Sequence, residues 1–211
     1  MQHKSCKIMN AGRYVFAQVA DFIPRYEFDR IVKKYNGDFH VRDLSCYNLF
    51  LHLMFGQLTT CDSIRDICLC LKAHQKILYP LGFRQTVNVS SLSRANRDRD
   101  CRIWEEFGLV LIRLVRPLYA KELAFVTNLT VKSFWGHSEN AVKTHLWSAI
   151  CTFLIVARIK ASVKDCPYTI TEVATLLGVS ALSKTDISVL LTSQNNDLLN
   201  QNQDVNEPTL F

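Results

Sequence analysis

A chain of 211 residues is long enough for one or two domains with real cores. Its 48% hydrophobic and 21% charged residues are ordinary globular composition and argue against a low-complexity chain. The net charge of +6 is lopsided: residues 1–120 carry 18 Lys/Arg against 11 Asp/Glu, and residues 121–211 carry 7 against 8. A basic first part can track a phosphate backbone by releasing condensed counterions, although many basic domains meet only water.

The pattern predicts helix after helix. Between Tyr26 and Tyr35, residues Phe28, Ile31, Val32 and Tyr35 share one face, with Pro24 ahead and Asn36-Gly37 closing the segment. Cys46 to Leu58 is apolar enough to be a buried helix. Ser63-Ile64-Arg65-Asp66 resembles a capping box opening a helix to about Ile77, and Tyr79-Pro80-Leu81-Gly82 reads as a turn. Ser90 or Ser91 is positioned to cap a polar segment from Leu92 to Arg102. A helical stripe of Ile103, Trp104, Phe107, Val110, Leu111, Leu114 and Val115 follows, ended by Pro117. Residues 121–137 read as irregular, with a strand candidate at Leu123 to Thr127. Ser138 should cap a long helix from Glu139 to about Ala161, and Thr169 to Leu177 a short one stopped by Gly178. From Ser193 the chain is rich in Asn, Gln and Asp and reads as a disordered tail.

The eight cysteines, Cys6, Cys46, Cys61, Cys68, Cys70, Cys101, Cys151 and Cys166, mostly sit in apolar stretches. The first residues have charge but no apolar run behind them, so reduced thiols in a cytoplasm are expected. Cys70 and His74 offer two ligands where a zinc site needs three or four, so no metal site is expected. The apolar run from Leu146 to Ala157 is about a dozen residues, short of the ~20 a membrane span needs; a buried core helix is the better reading.

The sharpest polar feature is Ser90-Ser91-Leu92-Ser93-Arg94-Ala95-Asn96-Arg97-Asp98-Arg99. On a helix presented to a major groove, Ser90, Ser91 and Ser93 would hold phosphate. Arg94, Asn96, Arg97, Arg99 and Arg102 would reach bases or backbone. The same charges also suit a solvated helix in which Asp98 neutralises Arg94 and Arg102. The four arginines fall on several helical faces, and the turn between Ile77 and Ser90 is long for a helix-turn-helix. Asp98, Asp100, Glu105 and Glu106 cluster in sequence on a charged helix, where solvated charges are the simpler reading than a metal site. Asp21, Asp38 and Asp43 sit at helix borders, where Asp usually caps. No Ser–His–Asp or Cys–His arrangement stands out.

Several segments are similar to the N-terminal domain of the insertion-sequence-four family of DDE transposases. They are Phe22-Ile23-Pro24-Arg25-Tyr26-Glu27-Phe28-Asp29-Arg30-Ile31-Val32 and on to Asp38, Phe55-Gly56-Gln57-Leu58-Thr59, Ser63 to Ile67, Leu78-Tyr79, Leu81-Gly82-Phe83-Arg84, Asn96 to Asp100 and Arg116-Pro117-Leu118-Tyr119-Ala120. Lys132-Ser133-Phe134-Trp135-Gly136, Ser138 to Thr144, Trp147 and Tyr168-Thr169-Ile170 resemble the family's C-terminal end. Between these stretches the family places an RNase-H-like core with two strand-borne Asp and a Glu in a Tyr-x2-Arg-x3-Glu-x6-Lys helix. Here only residues 121–131 stand there, and neither Glu122 nor Glu139 sits in that pattern.

The resemblance therefore implies a mainly α, internally deleted transposase. It comprises a helical head at 1–120, a junction at 121–131, a C-terminal helical remnant at 132–192 and a tail at 193–211. It implies a DNA-binding protein associated with transposition, acting on transposon ends. The Mg²⁺ ligands of the family are missing, so no catalytic residue and no cofactor are expected. An alternative is a subunit working with a full-length transposase, or a decayed product without function. The long C-terminal helix should either dock on the stripe of Ile103, Trp104, Phe107 and Leu111 or drive self-association.

Overall fold

The computed structural model describes residues 12–119 and 135–192, which form ten α-helices and no strand, a mainly α fold. The strand candidate at 123–127, the junction and the tail lie outside the described residues.

Helix α1 (Val15–Asp21), which the pattern analysis does not anticipate, leads into α2 (Arg25–Lys34) behind Pro24. α2 carries Glu27 in its first turn and Lys33 and Lys34 in its last, matching the helix dipole, and buries Phe28, Ile31 and Val32. α3 (Cys46–Leu58) is doubly capped. Ser45 accepts from the Asn48 N–H at 3.3 Å, and Asp38 accepts from the Cys46 N–H at 2.6 Å. Eleven of its thirteen residues are buried, as its unbroken apolar sequence requires.

α4 (Ile64–Ala73) opens at Ser63 as expected, but ends at Ala73 rather than Ile77. A 3-10 turn at Gln75–Ile77 and a single-turn helix α5 (Leu78–Leu81) replace the last turn and the expected loop. α5 stops at Gly82, whose φ of 96° is the left-handed conformation that glycine adopts without a Cβ clash. α6 (Val89–Asp98) starts two or three residues earlier than Ser90 or Ser91 would set it: Asn88 Oδ1 accepts the Ser91 N–H at 2.7 Å. α7 (Arg102–Val115) passes into a 3-10 turn at Arg116–Tyr119, where Pro117 has no N–H to continue the α pattern.

α8 (Glu139–Ser162) begins behind Ser138, which accepts the Ala141 N–H. α9 (Ile170–Val179) has a full capping box between Thr169 and Glu172, and α10 (Ile187–Thr192) closes the described chain. Gly178 does not stop α9; it lies inside it. A Cβ there would stand 2.0 Å from the Leu58 carbonyl oxygen, so only glycine lets α9 rest on the end of α3.

α8 is the centre of the packing and touches α7 above all, then α3, α6 and α9. Gly108 of α7 is what admits it, because a Cβ there would meet the Trp147 ring at 2.8 Å. Cys151 Sγ donates to the Trp104 carbonyl at 3.5 Å across the same contact. α8 thus docks on the stripe of Ile103, Trp104, Phe107 and Leu111, all fully buried. Burying each such side chain contributes on the order of 1.5–3 kcal/mol. By length and composition α8 could cross a membrane, yet 61% of its apolar window is buried inside the protein. That placement is compatible with a soluble protein, and the helix is longer than the run Leu146 to Ala157 alone suggests.

One apolar cluster runs from Val15 to Leu191, so residues 12–119 and 135–192 share a single core. Two aromatic groups anchor it. Phe28, Phe50 and Phe107 meet with centroids 4.9–5.7 Å apart, and Phe16 packs on Phe55 and Phe83 at 5.3 and 5.4 Å. Polar stitches join the two stretches. Val15 and Phe16 donate their N–H groups to the carbonyls of Ser183 and Ala181 at 2.9 and 3.0 Å. Gln18 donates to the Thr185 carbonyl at 2.7 Å and accepts the Ile187 N–H at 3.0 Å. Arg158 donates to the Phe22 carbonyl at 2.6 Å, and Trp135 Nε1 to that of Asp62 at 3.2 Å.

Candidate nucleic-acid interface

α6 is built as a two-sided helix. Leu92, Ala95 and Asn96 face the core, and Ser90, Ser91, Ser93, Arg94 and Arg97 face solvent. At 100° per residue, Ser90, Arg94 and Arg97 fall within about 60° of arc and form one outward row, with Ser93 beside it. The serine hydroxyls and the Arg94 guanidinium have no hydrogen-bond or ion-pair partner among the described residues. Arg97 pairs with its neighbour Asp98 at 2.6 Å and holds that carboxyl below its usual range. A paired surface Arg can still exchange its partner for a phosphate, because an exposed ion pair contributes little.

Three of the expected contact residues are elsewhere. Asn96 is fully buried and donates to the Trp135 carbonyl at 3.3 Å, so it has no access to a base edge. Arg99 lies beyond the end of α6, half-buried, with Nη2 donating to the Leu44 carbonyl at 3.1 Å. Arg102 opens α7, pairs with Asp100 at 2.5 Å and stands over the Tyr35 ring at 5.0 Å. The spread of arginines over several faces disappears once the helix ends at Asp98: only Arg94 and Arg97 belong to α6, and they share its outer side.

Asn140, in the first turn of α8, fixes this corner. Its Nδ2 donates to the carbonyls of Arg97 and Arg99 at 2.7 and 2.6 Å, and its Oδ1 accepts the Cys101 N–H at 3.1 Å. One side chain therefore satisfies the end of α6 and the start of α7. Nothing in the sequence marks Asn140 for that role. Asn88 was more legible, since Asn is among the strongest N-cap residues.

An open groove of about 400 Å³ runs between α1 and α5, lined by Arg13, Asp21, Tyr47, Tyr79 and Arg84 among others, with Arg13 ion-paired to Asp21 at 2.6 Å. Arg25 stacks over the Tyr47 ring at 3.5 Å, and Tyr79 is 87% exposed at the lip. Ser90 follows Arg84 by six positions, so their Cα atoms are at most about 21 Å apart. That is about six base-pair steps of duplex.

The acids offer no converging metal site. Asp98 and Asp100 face Arg97 and Arg102, and Glu106 accepts from Lys34 at 2.6 Å and the Tyr35 hydroxyl at 2.9 Å. Each of these carboxyls is held below its usual range by its own cation. Among the described residues no three His, Cys, Asp or Glu gather in a metal-holding group. The carboxylate pairs needed to hold two Mg²⁺ ions about 4 Å apart do not fit this arrangement. The seven described cysteines are free, and burial pushes the thiols of Cys46, Cys61, Cys68, Cys70, Cys101 and Cys151 up, away from nucleophilic thiolate.

Residues 11–84 match the model of a domain of unknown function, DUF4372, and so carry that domain. The match takes in α1 to α5 and stops before α6. Neither a curated protein nor a solved structure matches the chain.

Proposed function

We propose that this protein is an internally deleted member of the insertion-sequence-four transposases, which binds DNA through α6 and does not cleave it. The observation that carries the reading is the outward row of Ser90, Arg94 and Arg97 on a helix whose other side is anchored in the core. The resemblance of residues 14–120 and 132–170 to that family supports it, as does the excess of Lys and Arg in residues 1–120. Arg94 and Arg97 neutralise backbone phosphates; the serine hydroxyls donate to phosphate oxygens. With no set of convergent carboxylates among the described residues, the reading has strand cleavage and joining lost, and the protein occupying transposon ends.

The test is a gel shift of the full chain on a duplex of the element's terminal sequence, beside a scrambled duplex. Affinity should fall steeply with salt, by about 0.9 logarithmic units per phosphate contact. An Arg94→Ala, Arg97→Ala double variant should bind on the order of tenfold more weakly and lose about two contacts from that slope. Absence of any shift at low salt removes the proposal. Incubation with Mg²⁺ or Mn²⁺ should leave the duplex uncut, and cutting would show that an active site exists.

A further inference from the structure

The outer side of α7 carries a charge and apolar pattern that is complementary to itself. Glu105, Leu109, Ile112 and Arg116 lie within about 60° of arc at 100° per residue, on one straight stripe about 16 Å long. All four are exposed, Leu109 at 49% and Ile112 at 38%, although Ile103, Trp104, Phe107 and Leu111 on the other side of the helix are fully buried. Neither Glu105 nor Arg116 makes an ion pair among the described residues. Arg116 is still helical, with φ −48° and ψ −44°, so it continues the stripe. The turn that follows the stripe exposes Leu118 at 53%.

The order along the stripe is acid, apolar, apolar, base. Glu105 and Arg116 are equidistant from the midpoint between Val110 and Leu111, and so are Leu109 and Ile112. Two such helices laid antiparallel about a two-fold axis at that midpoint bring Glu105 of each opposite Arg116 of the other. The same operation sets Leu109 of each against Ile112 of the other. A two-fold interface must be complementary to itself, and this one is, in both charge and shape class. A parallel arrangement would oppose like charges at both ends.

We infer that α7 is the contact by which two copies of this chain associate, antiparallel, through Glu105, Leu109, Ile112 and Arg116. This surface is separate from the outer row of α6 and needs no DNA. The stripe is small beside the ~800 Å² per partner of a standard interface, so association should be weak, with a dissociation constant on the order of tens of micromolar.

Sedimentation equilibrium of the full chain between about 5 and 300 μM, without DNA, tests this across the expected constant. The wild-type protein should pass from monomer to dimer. Glu105→Arg and Arg116→Glu each place like charges opposite one another twice, and each should weaken association tenfold or more. Mixing the two variants restores opposite charges at both ends, and a dimer should re-form at the wild-type concentration. Both positions are exposed, and far-UV circular dichroism checks that each variant keeps its helices. A wild-type chain that stays monomeric throughout overturns the inference. So does a dimer unchanged by either variant, or a mixture that fails to pair.

Discussion

α6 and α8 touch each other yet are held in opposite ways. α6 buries three residues and sends Ser90, Ser93, Arg94 and Arg97 into solvent. α8 is surrounded: from Cys151 to Ala157 all but Phe153 are buried, and α3, α6, α7 and α9 all lean on it. The helix proposed to touch DNA can change without disturbing the core, and the helix that makes the core reaches no partner with its middle. Affinity and stability are therefore expected on different helices, a separation that can be attacked from either side.

The largest effect should come from removing α8 altogether. A chain ending at Ala120 leaves Trp104, Phe107 and Leu111 without their cover, and Val15 and Phe16 without the carbonyls that receive their N–H groups. Such a fragment should show no cooperative unfolding transition by circular dichroism. A sharp transition at native helix content would mean that α8 is dispensable and the contrast with α6 mistaken.

Acid comes next. His52 and His145 are buried, and burial lowers each from its ordinary value near 6.5 to about 4. His52 lies against Phe83 at 4.8 Å. His145 stacks on Trp135 at 4.0 Å and accepts its backbone N–H at 3.3 Å. The unfolded chain takes up these protons at a higher pH than the folded one. The stabilisation is thus whole above about pH 6.5 and declines as pH falls toward 4. Denaturant unfolding at pH 5 should show each histidine contributing about 2 kcal/mol less than at pH 7. Equal stability at the two pH values would mean that neither ring is held neutral by the core.

Gly178→Ala places a methyl group against the Leu58 carbonyl and should cost about 3 kcal/mol, read from the denaturant midpoint. An unchanged midpoint would show that α9 can slide off α3. The smallest effect on stability belongs to Arg94→Ala with Arg97→Ala, which should stay within about 0.5 kcal/mol of wild type while DNA affinity drops. A large loss of stability there would place α6 among the core elements on both its sides.

Helices with long apolar runs or strong caps were readable from sequence: α3 to the residue, α8 from its Ser138 cap, and α7 from its stripe. α1 and α10 were not, because seven and six residues carry too little periodicity and their stability comes from partners far along the chain. The outer row of α6 was legible in residue type but not in membership. Ending the helix at Asp98 decides which arginines share a face, and that end is set by Asn140 from another helix. Asn96 misleads for the same reason: whether a polar residue faces water or the core depends on where Trp135 lands. A glycine inside α9 reads as a stop until the Leu58 carbonyl is seen beneath it.

The stitch between Val15 and Ser183 also fixes when this protein can be finished. On the ribosome, α1 is made well before the carbonyls of Ala181 and Ser183 that receive its first N–H groups. At 5–20 residues per second the interval is roughly 10 to 30 s. Throughout it, the domain at residues 11–84 stands without these contacts, and Phe16 can pack only on what is already made, such as Phe55 of α3. The amino end of α1 can close only once Ser183 has left the tunnel.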